Sequence, residues 1–171
     1  MTGLPARAAA APRNAPGFAA TTVEVGIVAV RVGVQEFALD IMSVREIRGW
    51  TPPIPLPHAP AYVRGVTDLR GMVIPIIDLS ARLGLGAAEA SATSVVVVAE
   101  VRGRLAGLLV DGVSDLIDLD QSQLQPTPET GSAEPGKIIQ GVFDIGGRIL
   151  GLIAVDAVIP EDLAVPEALA S

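Results

Sequence analysis

The chain has 171 residues, a formal net charge of −7 and an isoelectric point near 4.6. Half of it is hydrophobic, yet no apolar run reaches the length of a membrane-spanning helix, so that hydrophobicity is assigned to buried strands. With no cysteine and no basic stripe, a disulfide framework, a thiol nucleophile, a Cys-ligated metal and phosphate-backbone binding are all disfavoured.

Residues 1–20 are Ala, Pro and Arg with nothing to bury, which predicts a disordered tail. The alanine run there, broken by Arg7 and Arg13, is not a signal-peptide core, which predicts a cytoplasmic protein. Thr22 to Val32 alternates into a strand, turns at Gly33-Val34 and returns through Phe37-Ala38-Leu39 to Asp40. Ile41 to Ile47 reads as a short helical turn or a bent strand. Trp50 to Pro60 carries five prolines and is a stiff surface connection.

Residues 63–85, VRGVTDLRGMVIPIIDLSARLGL, are the stretch around which the rest is organised. Arg70-Gly71 marks a tight hairpin turn, and Met72 to Ile77 is a β-branched run. Pro75 lacks a ladder donor, which places that strand at an edge or at a bulge. Asp78 is suited to cap the helical turn LSARLG, which Gly84 ends. Arg70 is a permanently charged fork at a turn that needs neither charge nor size.

Gly86 to Thr93 is a small-residue linker. Ser94 to Ala99 is apolar on both faces and so is a strand buried on both. Arg102-Gly103 turns it into Leu105 to Val110. Val113 to Asp120 reads as a turn, and Gln121 to Gly136 as a polar loop. Ile138 to Val142 and Arg148 to Val155 form the last hairpin, before an acidic tail over 161–171.

The pattern G-V-x-D-[L/I]-x-G occurs at Gly65 to Gly71 and again at Gly141 to Gly147, an offset of 141 − 65 = 76 residues. A second pair of turns, at Gly33 and Gly103, has an offset of 103 − 33 = 70 residues. In four places a glycine turn leads into an apolar strand ending in Asp: Asp40, Asp78, Asp111 and Asp156. This predicts an internal duplication. The two copies differ at Arg70 against Gly146, so Arg70 serves recognition rather than the turn. Many short strands with glycine turns predict an all-β fold, a small barrel or sandwich.

A catalytic site finds little to be built from. His58, the one histidine, lies in the proline-rich loop without a partner cue. No G-x-S-x-G elbow exists. Gly131 to Lys137, GSAEPGK, meets the first seven positions of a phosphate-binding loop, but Ile138 replaces the magnesium-binding hydroxyl. The acidic run from Asp111 to Asp120 fails calcium-loop spacing, since position 12 counted from Asp115 is Pro126; its carboxylates are read as turn caps and a solvated face. No cofactor or metal is expected.

From about Thr22 to Ile159 the chain resembles the CheW-type chemotaxis coupling proteins. Four blocks in order carry the likeness: FALDIMSVREI, YVRGVTDLRGMVIPIIDLSARLGL, VVVVAEVRGRLAGLLVDGVSDLIDL and GVFDIGGRILGLIAVDAVI. Asp68 stands where that family usually has Asn. The resemblance implies one domain over 21–160 made of two intertwined five-stranded SH3-like β-barrels sharing a hydrophobic core. It places one barrel mainly in 35–85 and the other mainly in 94–145, with the termini crossing over. It implies no enzymatic activity, and an adaptor bridging transmembrane chemoreceptors to the regulatory domain of a CheA-type histidine kinase. The molecule would be a monomer that joins array rings at the membrane. By the same likeness a receptor helical hairpin docks between the barrels, with Val44, Val95 and Val96 as apolar contacts. Glu46 and Arg70 are then polar anchors, and Gly65 permits close approach. Ser114 and Leu116 would face the kinase. Core packing is the competing reading for each valine. Alternatives are an adaptor of pilus motility or second-messenger output, the kinase's own regulatory domain, and a nucleotide-binding enzyme using Gly131 to Lys137. The kinase reading needs phosphoacceptor and ATP-binding segments that the chain does not carry.

Overall fold

The computed structural model describes residues 24–126 and 138–159. Both expected tails and the Gly131 to Lys137 loop lie outside these residues. Glu24–Val32 (β1) and Gln35–Asp40 (β2) form the first hairpin. Asp40 then accepts a hydrogen bond from the Met42 N–H at 2.9 Å and starts a 3-10 turn, Ile41–Ser43, that leads into Val44–Gly49 (β3). The helical turn and the bent strand are therefore both present, in succession.

Val63–Leu69 (β4) and Met72–Asp78 (β5) make the organising hairpin. The Asp78 carboxylate caps Leu79–Arg82 (α1) through the Ala81 N–H, and Gly84 ends it at φ 80°. There follow Val95–Val101 (β6), Arg104–Val110 (β7), Gly112–Asp120 (β8), a 3-10 turn Gln121–Gln123, and Leu124–Gln125 (β9). Ile139–Ile145 (β10), Arg148–Ile153 (β11) and Val155–Val158 (α2) complete the fold. The run expected as a turn over Val113 to Asp120 is thus a nine-residue strand. Its carboxylates belong to an edge strand whose outer face is solvated, and such charges keep an exposed edge from pairing with other chains.

Two sheets form, and both are SH3-like barrels. One has five strands in the order β3-β6-β7-β5-β4; the other has six, β8-β1-β2-β11-β10-β9, the sixth being the two-residue β9. Neither follows the sequence halves 35–85 and 94–145. The five-stranded sheet runs without interruption from β3 to β7, while β1 and β2 join the last strands of the chain.

Strand faces explain the composition. Val96 and Val98 line the interior of the five-stranded barrel with Leu69, Ile74, Ile76 and Leu109. Val97 and Ala99, pointing the other way, join a central core with Val28, Val30, Leu39, Ile77, Leu108 and Ile153. Ile27 and Ala29 point into the six-stranded barrel, around Phe143 and Leu150. A strand between two apolar regions must be hydrophobic on both faces, which is why aliphatic residues run on without alternating.

Pairing registers expose the duplication. Leu152 of β11 lies beside Ala38 of β2, and Ile76 of β5 beside Gly107 of β7, both in parallel pairs. The registers pair Val32 with Gln35 and Val101 with Arg104, which sets the offset of the Gly33 turn at 101 − 32 = 69 residues rather than 70. Gly33 therefore corresponds to Arg102, and both take a left-handed turn conformation, at φ 64° and 54°. The Asp-terminated pattern does not superpose. Asp40 and Asp78 end strands, but Asp156 sits inside α2, and the position matching Asp78 is Ala154, an N-cap with no side-chain bond.

Pro75 is also not at an edge, because β5 pairs on both sides. It faces Val66, whose own N–H and C=O are both given to Ile54, and it precedes the parallel ladder that begins at Ile76. No partner calls on the missing donor from the β4 side.

Candidate partner-binding site

The site grows from one irregularity and one turn. Along β3, Val44 faces Ala99 and Glu46 faces Val98, so Arg45 is an inserted residue, a β-bulge. A bulge re-aims side chains, and here Arg45 pairs with Glu100 while Glu46 turns toward the β4–β5 hairpin. In that hairpin Arg70 and Gly71 have φ 53° and 85°, a two-residue turn with both central residues left-handed.

From there Arg70 Nη1 donates to Glu46 Oε2 at 2.5 Å, its side chain still 75% exposed. Arg48 Nε stands 3.9 Å from the other Glu46 oxygen. β3 and β4 are the two edges of their sheet, so the Arg70–Glu46 pair ties the barrel's seam. A second tie lies further along it, where Ile54 and Val66 exchange two backbone hydrogen bonds of 2.8 Å each.

The other expected contact residues divide. Val44 and Val95 are half-buried against the central core, Val44 at the Glu46 end of the β3–β6 pair and Val95 at its other end, opposite Gly49. Val96 is only 7% exposed and points into the barrel, so it is a core residue and not a surface contact. Gly65 has φ 146°, and a Cβ there would collide with the Ile54 carbonyl. The close approach it permits is made by the protein's own backbone, not by a partner. Gly141 does the same for Gln125 O, which would sit 2.6 Å from an added Cβ. The first glycine of the repeated motif therefore marks where the chain crosses back over each barrel.

On the six-stranded barrel, Ser114 and Leu116 lie on β8. Ser114 is skipped in the β1–β8 register, between Asp115 facing Ala29 and Val113 facing Val30, and so repeats the Arg45 bulge. Leu116 is 67% exposed. Sequence reasoning passed over the charged group between them. Arg148 holds Glu36 with a two-pronged pair of hydrogen bonds, 3.1 and 3.0 Å, and reaches Asp115 at 3.0 Å. That guanidinium keeps the Glu36 carboxyl below its ordinary range. The registers make Asp115 the counterpart of Glu46, so each barrel pairs an arginine of its copy of the repeated hairpin, β4–β5 or β10–β11, with the bulged strand. The signal in the sequence was weak, because Arg148 falls two positions beyond the counterpart of Arg70.

Among the described residues, no group of three or more His, Cys, Asp or Glu is arranged to hold a metal ion. His58 is exposed, with φ 62°, in the connection between β3 and β4. No helix of the described residues is long and apolar enough to cross a membrane.

A family model described as the CheW-like domain matches residues 26–162. The chain belongs to the CheW-like domain family. This CheW-like chain is 52% identical over 136 residues to the chemotaxis protein CheW of Rhizobium meliloti (strain 1021), covering 80% of this chain and 88% of that one. It is 31% identical over 145 residues to the chemotaxis protein CheW of Klebsiella aerogenes, covering 85% and 87%. The crystal structure of the scaffolding protein TtCheW from Thermoanaerobacter tengcongensis superposes with a TM-score of 0.74 at 25% identity, over 86% of this chain and 96% of that chain. The seam residues Glu46 and Arg70 lie inside the matched residues.

Proposed function

We infer that this chain is a non-catalytic adaptor of chemotaxis signalling, coupling chemoreceptors to a CheA-type histidine kinase. The single observation that carries the site is Arg70. A permanently charged side chain is held at a left-handed turn position, where the repeated copy has Gly146, and it is exposed rather than buried. Left-handed backbone costs a non-glycine residue about 1 kcal/mol, and such strain concentrates at functional positions.

In this reading the receptor's cytoplasmic hairpin lies along the seam of the five-stranded barrel, a helix on a groove. Arg70 and Glu46 anchor it through charged hydrogen bonds, and Val44 and Val95 supply the apolar floor. Gly65 and Val96 support the site from within. The kinase regulatory domain takes the β8 surface, where Leu116 is the exposed apolar contact and Ser114 sits at the bulge. The protein acts in the cytoplasm and is recruited to the membrane through the receptor.

The test is co-precipitation of the full chain with a chemoreceptor cytoplasmic fragment and, separately, with a CheA-type regulatory domain. Leu116→Asp is expected to lower kinase capture and leave receptor capture intact. Equal capture of both partners by Leu116→Asp and the native chain would remove β8 from the kinase surface.

A further inference from the structure

The two copies of the repeated hairpin share a backbone but not the use of their aspartate. Both turns have left-handed central residues, Arg70 and Gly71 at φ 53° and 85°, Gly146 and Gly147 at φ 58° and 94°. In the second copy Asp144 Oδ1 accepts the Gly147 N–H at 3.1 Å, a local bond that fastens the turn. Asp68 holds the matching position in the first copy. It is exposed and makes no hydrogen bond or ion pair among the described residues. A carboxylate with a ready backbone partner three residues away, the Gly71 N–H, is left open to solvent.

Its neighbours are informative. Ile54 bridges Val66 across the sheet edge, so their side chains share one face; Asp68, two residues on along β4, shares it too. The opposite face carries Leu69, which lines the barrel interior. Ile54 is 62% exposed, its backbone fixed by both hydrogen bonds to Val66 and its chain flanked by Pro53 and Pro55. On that face Val66 is buried, at 1% exposed, while Ile54 and the unpaired Asp68 carboxylate, two residues beyond Val66, stay open to solvent on the seam that Arg70 closes.

We propose that Asp68, with Ile54 beside it, is a specificity-determining element of the receptor-docking face, selecting helical segments that set a lysine or arginine against the carboxylate and an apolar side chain against Ile54. The proposal rests on the reading of Arg70 as a receptor anchor, and it adds the sign of the charge the partner must bring. Charges at the edge of an interface act on association rate, salt dependence and choice of partner more than on total affinity.

The experiment is calorimetric titration of the full chain with a purified chemoreceptor cytoplasmic fragment, at low and at physiological salt. Native protein is compared with Asp68→Asn, Asp68→Lys, Ile54→Ser and Arg70→Ala, each checked for its unfolding midpoint. Asp68→Asn is expected to weaken binding about threefold and to flatten the salt dependence, with an unchanged midpoint. Asp68→Lys is expected to weaken it about tenfold, and neither variant should alter binding to the kinase regulatory domain. If Arg70→Ala weakens receptor binding while both Asp68 variants bind like the native chain at both salts, the proposal is overturned and the Arg70 reading stands. Loss at Asp68 matched by an equal fall in kinase binding or in midpoint would mark a structural role and overturn it as well. Normal binding by Arg70→Ala would overturn the underlying site, whatever Asp68 does.

Discussion

Arg70 occupies a backbone conformation that glycine would adopt without strain, as Gly146 does in the other copy. Its ion pair with Glu46 is largely exposed, and exposed pairs contribute at most about 1 kcal/mol. Strain relief and pair loss therefore nearly offset each other in Arg70→Gly, whose stability by urea unfolding is expected within about 1 kcal/mol of native. A large loss of stability would instead make Arg70 a structural residue. Glu36 gives a pH prediction of definite sign. Arg148 lowers its carboxyl pKa in the folded state, so the unfolded chain takes up the proton first as pH falls. The stability this pairing supplies is present above the ordinary carboxylate range, near pH 4, and is lost as pH falls through the lower folded value. Glu36→Gln should flatten the dependence of unfolding free energy on pH across that window, and an unchanged slope would contradict the pairing. Arg70 was legible in the sequence because a charge at a turn stands out against its repeat. The Glu36–Arg148–Asp115 group was not, since its members come from three strands that only the barrel brings together.

Strands and turns were mostly readable from glycine punctuation and β-branched runs, and Asp78 from its place before a helical turn. β8 was missed. Its acidic, alternating run looks like a turn when its pairing with β1 is unknown, and only that pairing shows Leu119 facing inward. Gly65 was read as room for a partner, because sequence cannot show which backbone comes close. Ile54 O fills that room. Gly65→Ala is accordingly expected to destabilise the fold by at least about 1 kcal/mol, through a strained φ and displacement of residues 54–55. Chemical denaturation checks it, and a neutral result would mean that the crossing segment yields freely. Receptor binding should weaken alongside, as the seam is shifted with it.

For the whole molecule, the central core matters most. It draws side chains from both sheets, so neither barrel has a complete hydrophobic surface of its own. Trp50, the one tryptophan, packs against the interior of the five-stranded barrel and reports on it alone. Phe143 is buried inside the other barrel. Phe143→Ala should cost about 3–5 kcal/mol and shift the Trp50 fluorescence transition as far as the circular-dichroism transition. A fluorescence transition left in place would show that the barrels unfold separately. The duplication was legible as two offsets, but the exchange of strands between sheets was not. Local patterns fix which segments are strands, whereas the choice of partner strand depends on which apolar faces meet.

In the proposed function, the seam carrying Arg70 is a receptor site distinct from the kinase site. Calorimetric titration of native protein and of Arg70→Gly, against a chemoreceptor cytoplasmic fragment and a kinase regulatory domain in turn, tests it most directly. Native protein should bind both, and the substitution should weaken receptor binding about thirtyfold, in keeping with a hot-spot arginine worth about 2 kcal/mol, while kinase binding holds. Native protein that binds neither partner, or an Arg70→Gly variant that binds the receptor unchanged, would contradict it.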